Sequence, residues 1–193
     1  MTATVLIVPG LRDHVAQHWQ TLLAAEWPGA QTVPPMGRDD LDCARRVEAI
    51  ELAVSAIQGR VILVAHSGGC VMVAHWAQST GHASRIQGAL MATPPDFEMP
   101  MPEGYPTIEA LRMGGWLPVP RRPLPFKSLV ALSENDPLGD LNAVQKLARD
   151  WQAETVNLGR VGHLNPASGF GPWPQAKDLL TRFSSTPFTH SNP

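Results

Sequence analysis

Short apolar runs alternate with longer stretches of helical periodicity along most of the chain. The runs are TVLIVP (4–9), AQTVPP (30–35), RVILVA (60–65), IQGALMA (86–92), SLVALS (128–133) and ETVNL (154–158). Apolar runs of this length, separated by helices, are the pattern of parallel strands joined by crossover connections. Between them, Val15, Trp19, Leu22, Leu23 and Trp27 share one helical stripe, and Val47, Ile50, Val54 and Ile57 share another. A third helix is predicted just after Ser67, carrying Val71, Val73, Ala74 and Ala77, with Gly81 as its C-cap. A fourth takes Asp140 as N-cap and buries Leu141, Val144, Leu147, Ala148 and Trp151. The last opens at Pro174 and turns Ala176, Leu179, Leu180 and Phe183 to the core. The pattern predicts an α/β fold: a mostly parallel six-stranded sheet with helices on both faces.

One interval breaks the rhythm. From 93 to 126 the chain is rich in proline, and only TIEALRM within it has helical character. It follows the C-terminal end of a strand, where open α/β sheets bind ligands, so it reads as a short lid-like insertion. Two of its aromatic residues, Phe97 and Trp116, are candidates for a substrate pocket, with Trp116 equally suited to anchoring the insertion to the core. The segment 185–193 has no periodicity and reads as a mobile tail behind a single domain of residues 1–184.

Composition narrows the partners. A chain of 193 residues, 44% of them hydrophobic, suffices for one domain with a substantial core. A formal net charge of -2 offers no basic footprint, so neither nucleic acid nor a membrane surface is an expected partner. Cys43 and Cys70 are far apart in sequence and read as free thiols, which points to the cytoplasm. The apolar start lacks a basic flank and meets Pro9-Gly10 early, so it reads as the first strand rather than a signal peptide or membrane span. No heptad or self-complementary patch indicates an oligomeric state.

Chemistry gathers at strand ends. VAHSGGC (64–70) resembles the G-x-S-x-G turn that exposes a serine between strand and helix, except that Ala65 replaces the first glycine. Ser67 could instead be a plain N-cap. His66 and two glycines between a buried strand and an apolar helix exceed what a cap needs, and the Gly68 N–H is placed to meet a forming oxyanion. Asp136, just past the fifth strand in SENDP, could orient an imidazole; Glu134 is the second choice, and Asp140 fits the next helix cap. His163, on a glycine-bounded loop past the sixth strand, is the candidate general base. His14 and His18 flank the first helix, His75 and His82 accompany the third, His190 is in the tail, and His66 supports the turn. Serine, carboxylate and histidine at three strand ends are the parts of acyl transfer by a nucleophilic serine.

VLIVPGL and HW near the start, HSGG, SENDP and GHLNPASGFGPW together resemble the small serine hydrolases of the retinoblastoma-binding protein 9 family, over the chain to about residue 184. The resemblance implies a minimal α/β-hydrolase fold, a Ser67-Asp136-His163 triad, and no metal or organic cofactor. It also implies that the backbone N–H of Leu11 is the second oxyanion donor beside Gly68. The expected substrate is a small-molecule carboxylic ester or amide, cleaved through an acyl-enzyme. A non-catalytic binding module and an acyltransferase are the alternatives. The family's retinoblastoma partner is not expected, because the nearest match to L-x-C-x-E is LDCAR (41–45), ending in arginine.

Overall fold

The computed structural model describes residues 3–12, 15–34, 36–37 and 39–184. The predicted tail, His14 and His190 lie outside these residues. All six strands form one sheet: β1 (Thr4–Val8), β2 (Gln31–Thr32), β3 (Val61–His66), β4 (Ile86–Ala92), β5 (Ser128–Leu132) and β6 (Glu154–Asn157). Their order is β2-β1-β3-β4-β5-β6, and every neighbouring pair is parallel. The chain steps outward from β1 to β2, then returns past β1 to build the rest of the sheet. That reversal opens a crevice at the carboxyl ends of β1 and β3, the place where such sheets hold ligands.

Alternate strand residues feed two cores. Val5, Ile7, Ile62, Val64, Leu90 and Ala92 pack with α1 (Trp19–Glu26) and α6 (Gln175–Ser184). Leu6, Val8, Leu63, Ala65, Ala89 and Met91 pack with α2 (Cys43–Ala56), α3 (Gly68–Trp76) and α5 (Leu141–Asp150). Burial on both faces is why the central strands are apolar at consecutive positions rather than alternately.

Several boundaries differ from the sequence pattern for local reasons. Strand β2 spans two residues; the Val33 N–H still donates to Ile7 O at 2.9 Å, and Pro34, lacking an N–H, ends the pairing. Helix α1 begins at Trp19 because His18 caps it, Nδ1 accepting from the Gln20 N–H at 3.2 Å, so Val15 lies in the preceding loop. Helix α3 stops at Trp76 with Ala77 as its right-handed C-cap, and Gly81 belongs to the loop beyond. Asp140 caps α5 as expected, its Oδ1 accepting from the N–H groups of Asn142 and Ala143.

The 93–126 interval is packed. It contains α4 (Ile108–Met113), capped by Thr107, and buries Phe97, Leu111, Trp116, Val119, Leu124 and Phe126 in the same core as α2 and α3.

Candidate active site

Ser67 is the first residue after β3, and its backbone stands at φ 55° and ψ -130°, a region that costs a non-glycine residue about 1–3 kcal/mol. The turn is held by the Ser67 N–H donating to Ala92 O at 3.0 Å and the Cys70 N–H donating to Ser67 O at 2.9 Å. Ser67 occupies the N-cap position of α3, yet its side chain makes no capping bond. Instead Oγ–H donates to His163 Nε2 at 2.8 Å. Ala65 is wholly buried in β3 and is not among the positive-φ residues, so the absent glycine is not required there. The following glycine is required: a Cβ on Gly69 would stand 2.5 Å from Val8 O and 2.8 Å from Pro9 O.

The turn after β1 rests directly on this elbow. A Cβ on Gly10 would lie 3.0 Å from Ser67 Cβ and 3.5 Å from its Oγ, and one on Gly68 would lie 3.6 Å from the Leu11 backbone nitrogen. Both sequence-predicted donors, Leu11 N–H and Gly68 N–H, are therefore brought beside the serine. The first N–H groups of α3 have no partner within the helix, and its positive end faces the same space.

His163 Nδ1–H donates to both carboxylate oxygens of Asp136, at 2.9 Å and 2.8 Å. These two side chains are 5% and 3% exposed, so the pair is shielded from solvent. Asp136 is itself fixed: its Oδ1 also accepts the Leu138 N–H at 2.9 Å. The rival carboxylates are elsewhere, Glu134 accepting from Asn157 Nδ2 and Asp140 capping α5. The histidine loop is built from tight turns, with Gly162 at φ 58° and Leu164 at φ 47°. Side chains tie it down: Asn135 Oδ1 accepts the Gly162 N–H, and Ser168 Oγ accepts the His163 N–H.

His66 turns away from Ser67 Oγ, as expected, and its Nε2–H donates to the backbone carbonyl of His163 at 2.9 Å. Burial, then the neighbouring His163 and His18, hold its pKa well below the usual imidazole value. His75 donates to Trp116 O and His82 lies beside Ser55, so neither reaches the serine.

A cavity of about 620 Å³ opens onto Ser67 and His163. Its apolar wall includes Leu11, Val15, Leu41, Phe97 and Met101, and Arg12, Asp39 and Tyr105 add polar and charged groups. Arg12 lies 4.4 Å over the Tyr105 ring and donates to Gly104 O at 3.4 Å, linking the β1 turn to the insertion. Phe97 thus lines the cavity. Trp116 does not: it is fully buried behind Phe97, ring centroids 5.6 Å apart and edge-on, with Nε1–H donating to Leu41 O at 2.8 Å. Of its two candidate roles, the structure supports the anchor.

Residues 5–182 match the serine hydrolase family. The chain belongs to that family. No curated protein matches it. Among solved structures, a protein described as a YdeN-like hydrolase from Pectobacterium atrosepticum is 29% identical, with a TM-score of 0.79 over 94% of this chain and 90% of that one. The ydeN gene product of B. subtilis is 18% identical, with a TM-score of 0.72 over 96% and 100% of the two chains. The methylesterase MES16 from Arabidopsis is 17% identical, with a TM-score of 0.62 over 96% and 100%. These likenesses establish the α/β-hydrolase fold.

For this serine hydrolase, sequence reasoning missed residues that act through long-range bonds. Gln20 sits on the inner side of α1, and its Nε2 amide donates to Val8 O and Val64 O, clasping β1 to β3 just beneath the site. A polar residue between Trp19 and Leu23 on a buried stripe was the available signal. Asn165 shapes the histidine loop by accepting the Ser168 N–H and Oγ–H, which the Asn-Pro pair foreshadows. Among the described residues, no helix is long and apolar enough to cross a membrane, and no cluster of His, Cys, Asp or Glu is arranged to hold a metal ion.

Proposed function

We propose that this serine hydrolase cleaves small carboxylic esters through an acyl-enzyme, with Ser67 as nucleophile, His163 as base and Asp136 as the group that orients the base. The observation that carries the reading is the unbroken Asp136–His163–Ser67 hydrogen-bond chain ending on a strained serine. His163 Nε2 takes the Ser67 proton as Oγ attacks the ester carbonyl. The N–H groups of Leu11 and Gly68 receive the oxyanion, each donor contributing about 10²-fold or more in rate. As the tetrahedral species collapses, the imidazolium returns its proton to the leaving alkoxide. Water, deprotonated by His163, then attacks the acyl group, and the acid leaves with Ser67 restored.

Within the family, the HSGG, SENDP and GHLNPASGFGPW segments favour the retinoblastoma-binding protein 9-like branch, without its retinoblastoma partner. Cytoplasmic residence accords with two buried free thiols, whose pKa values burial raises, to about 12 for Cys43. Ser67→Ala is expected to abolish both p-nitrophenyl acetate turnover and fluorophosphonate labelling; undiminished turnover in that variant would refute the assignment. Product analysis with added alcohol acceptors separates hydrolysis from acyl transfer.

A further inference from the structure

We infer that His66 is a positioning residue whose Nε2–H holds the main chain of the base, setting the Ser67–His163 separation through a bond outside the reacting atoms. The inference rests on the proposed role of His163 and extends it to a side chain that role does not use. A carbonyl oxygen only accepts, so the 2.9 Å contact between His66 Nε2 and His163 O fixes both the donor and the imidazole tautomer of His66. The same oxygen lies 3.5 Å from Thr93 Oγ1, which donates to it from the end of β4.

Two consecutive residues therefore grip the base at its two ends. Ser67 meets the ring of His163 and His66 meets its backbone. The loop carrying His163 lies outside any strand or α-helix, so bonds of this kind determine where the ring pivots. His66 is well placed for the task. It ends β3 at 5% exposure, its ring is 4.5 Å from that of His18 and 4.9 Å from that of His163, and Trp19 stands edge-on at 6.0 Å. Rings on these sides restrict its rotation, so the donor is preorganised. Kept neutral by burial, it also adds no positive charge beside the imidazolium that His163 becomes during acylation.

The test compares His66→Gln, whose amide reaches the position of Nε2, with His66→Asn, one methylene shorter, and His66→Leu. Misplacing a base by about 1 Å costs up to about 10²-fold in rate. The expected result is that Asn and Leu lower kcat by about 10- to 100-fold with KM within about threefold of wild type, while Gln restores most of kcat. Thermal melts run in parallel should fall in all three variants without following that order. Equal activity of the Gln and Asn variants, or wild-type kcat in the Leu variant, would overturn the inference. A wild-type protein that neither turned over esters nor reacted with the fluorophosphonate would sink the proposed function instead. That outcome is distinct from a labelled, active enzyme indifferent to position 66.

Discussion

Replacing Gly69 by alanine tests how closely the helix that follows the serine must approach the turn after β1. The added Cβ would stand 2.5 Å from Val8 O and 2.8 Å from Pro9 O, both main-chain atoms. Separating them to the shortest tolerated contact moves α3 and the β1 turn apart by about half an ångström or more, an overpacking strain of about 1–3 kcal/mol. β1 cannot simply yield, because it is paired on both sides, by β2 and β3. Alanine's helix propensity offsets roughly 1 kcal/mol, leaving a net loss of up to about 2 kcal/mol. The same shift separates Leu11 from Gly68, the two proposed oxyanion donors, and a misplacement of this size is expected to lower kcat/KM for p-nitrophenyl acetate by about 10- to 100-fold. Denaturant melts and steady-state kinetics on the purified variant read both quantities. Gly68→Ala is the control: its Cβ meets the Leu11 side chain at 3.0 Å, which can rotate aside, so its stability loss should be smaller. A Gly69→Ala protein with wild-type melting and wild-type kcat/KM would show that the elbow is not held by this contact.

Three further outcomes follow from the same geometry. Asp136→Asn should reduce kcat by about 10⁴-fold, whereas Glu134→Gln, which alters only the contact with Asn157, should leave it within twofold or so; kinetics on the two variants decide between the carboxylates. Trp116→Ala should cost about 3–5 kcal/mol in a denaturant melt without changing acyl-chain preference, while Phe97→Ala should shift a p-nitrophenyl ester series toward longer chains; a preference that tracked Trp116 would place that residue in the wall. His66 and His75 both have pKa values lowered from 6.5 by burial. Near that pH the unfolded chain binds protons that the native state refuses. Their contribution is thus complete above pH 6.5 and is lost as pH falls below it, by up to about 1.4 kcal/mol per pH unit for each histidine. Urea midpoints at about pH 7.5 and pH 5.5 measure the loss, and equal midpoints would refute it.

The sheet was legible because its strands are buried on both faces, and unbroken apolar runs such as VILVA have few other uses. The serine, carboxylate and histidine were legible because each falls in polar, glycine- or proline-marked sequence directly past such a run. Local chemistry corrected the edges. Pro34 shortened β2, His18 delayed α1, and Ala77 rather than Gly81 closed α3. What pattern could not reach were contacts made at long sequence separation. The bond from His66 to the His163 carbonyl and the clasp of Gln20 on two strands depend on register between distant elements. The same holds for Trp116: periodicity marks an aromatic residue in a proline-rich segment, but only packing shows that Phe97 stands between it and the cavity.

The strand order carries a consequence for synthesis. Of the proposed parts, the Leu11 donor follows β1, the serine and the Gly68 donor follow β3, the carboxylate follows β5 and the base follows β6, so they emerge from a ribosome in an order that leaves the proton acceptor for last. Every strand that holds the serine turn, β1, β3 and β4, precedes the histidine in the chain. On the proposed mechanism, docking of β6 beside β5 is then the step that brings the base to the serine.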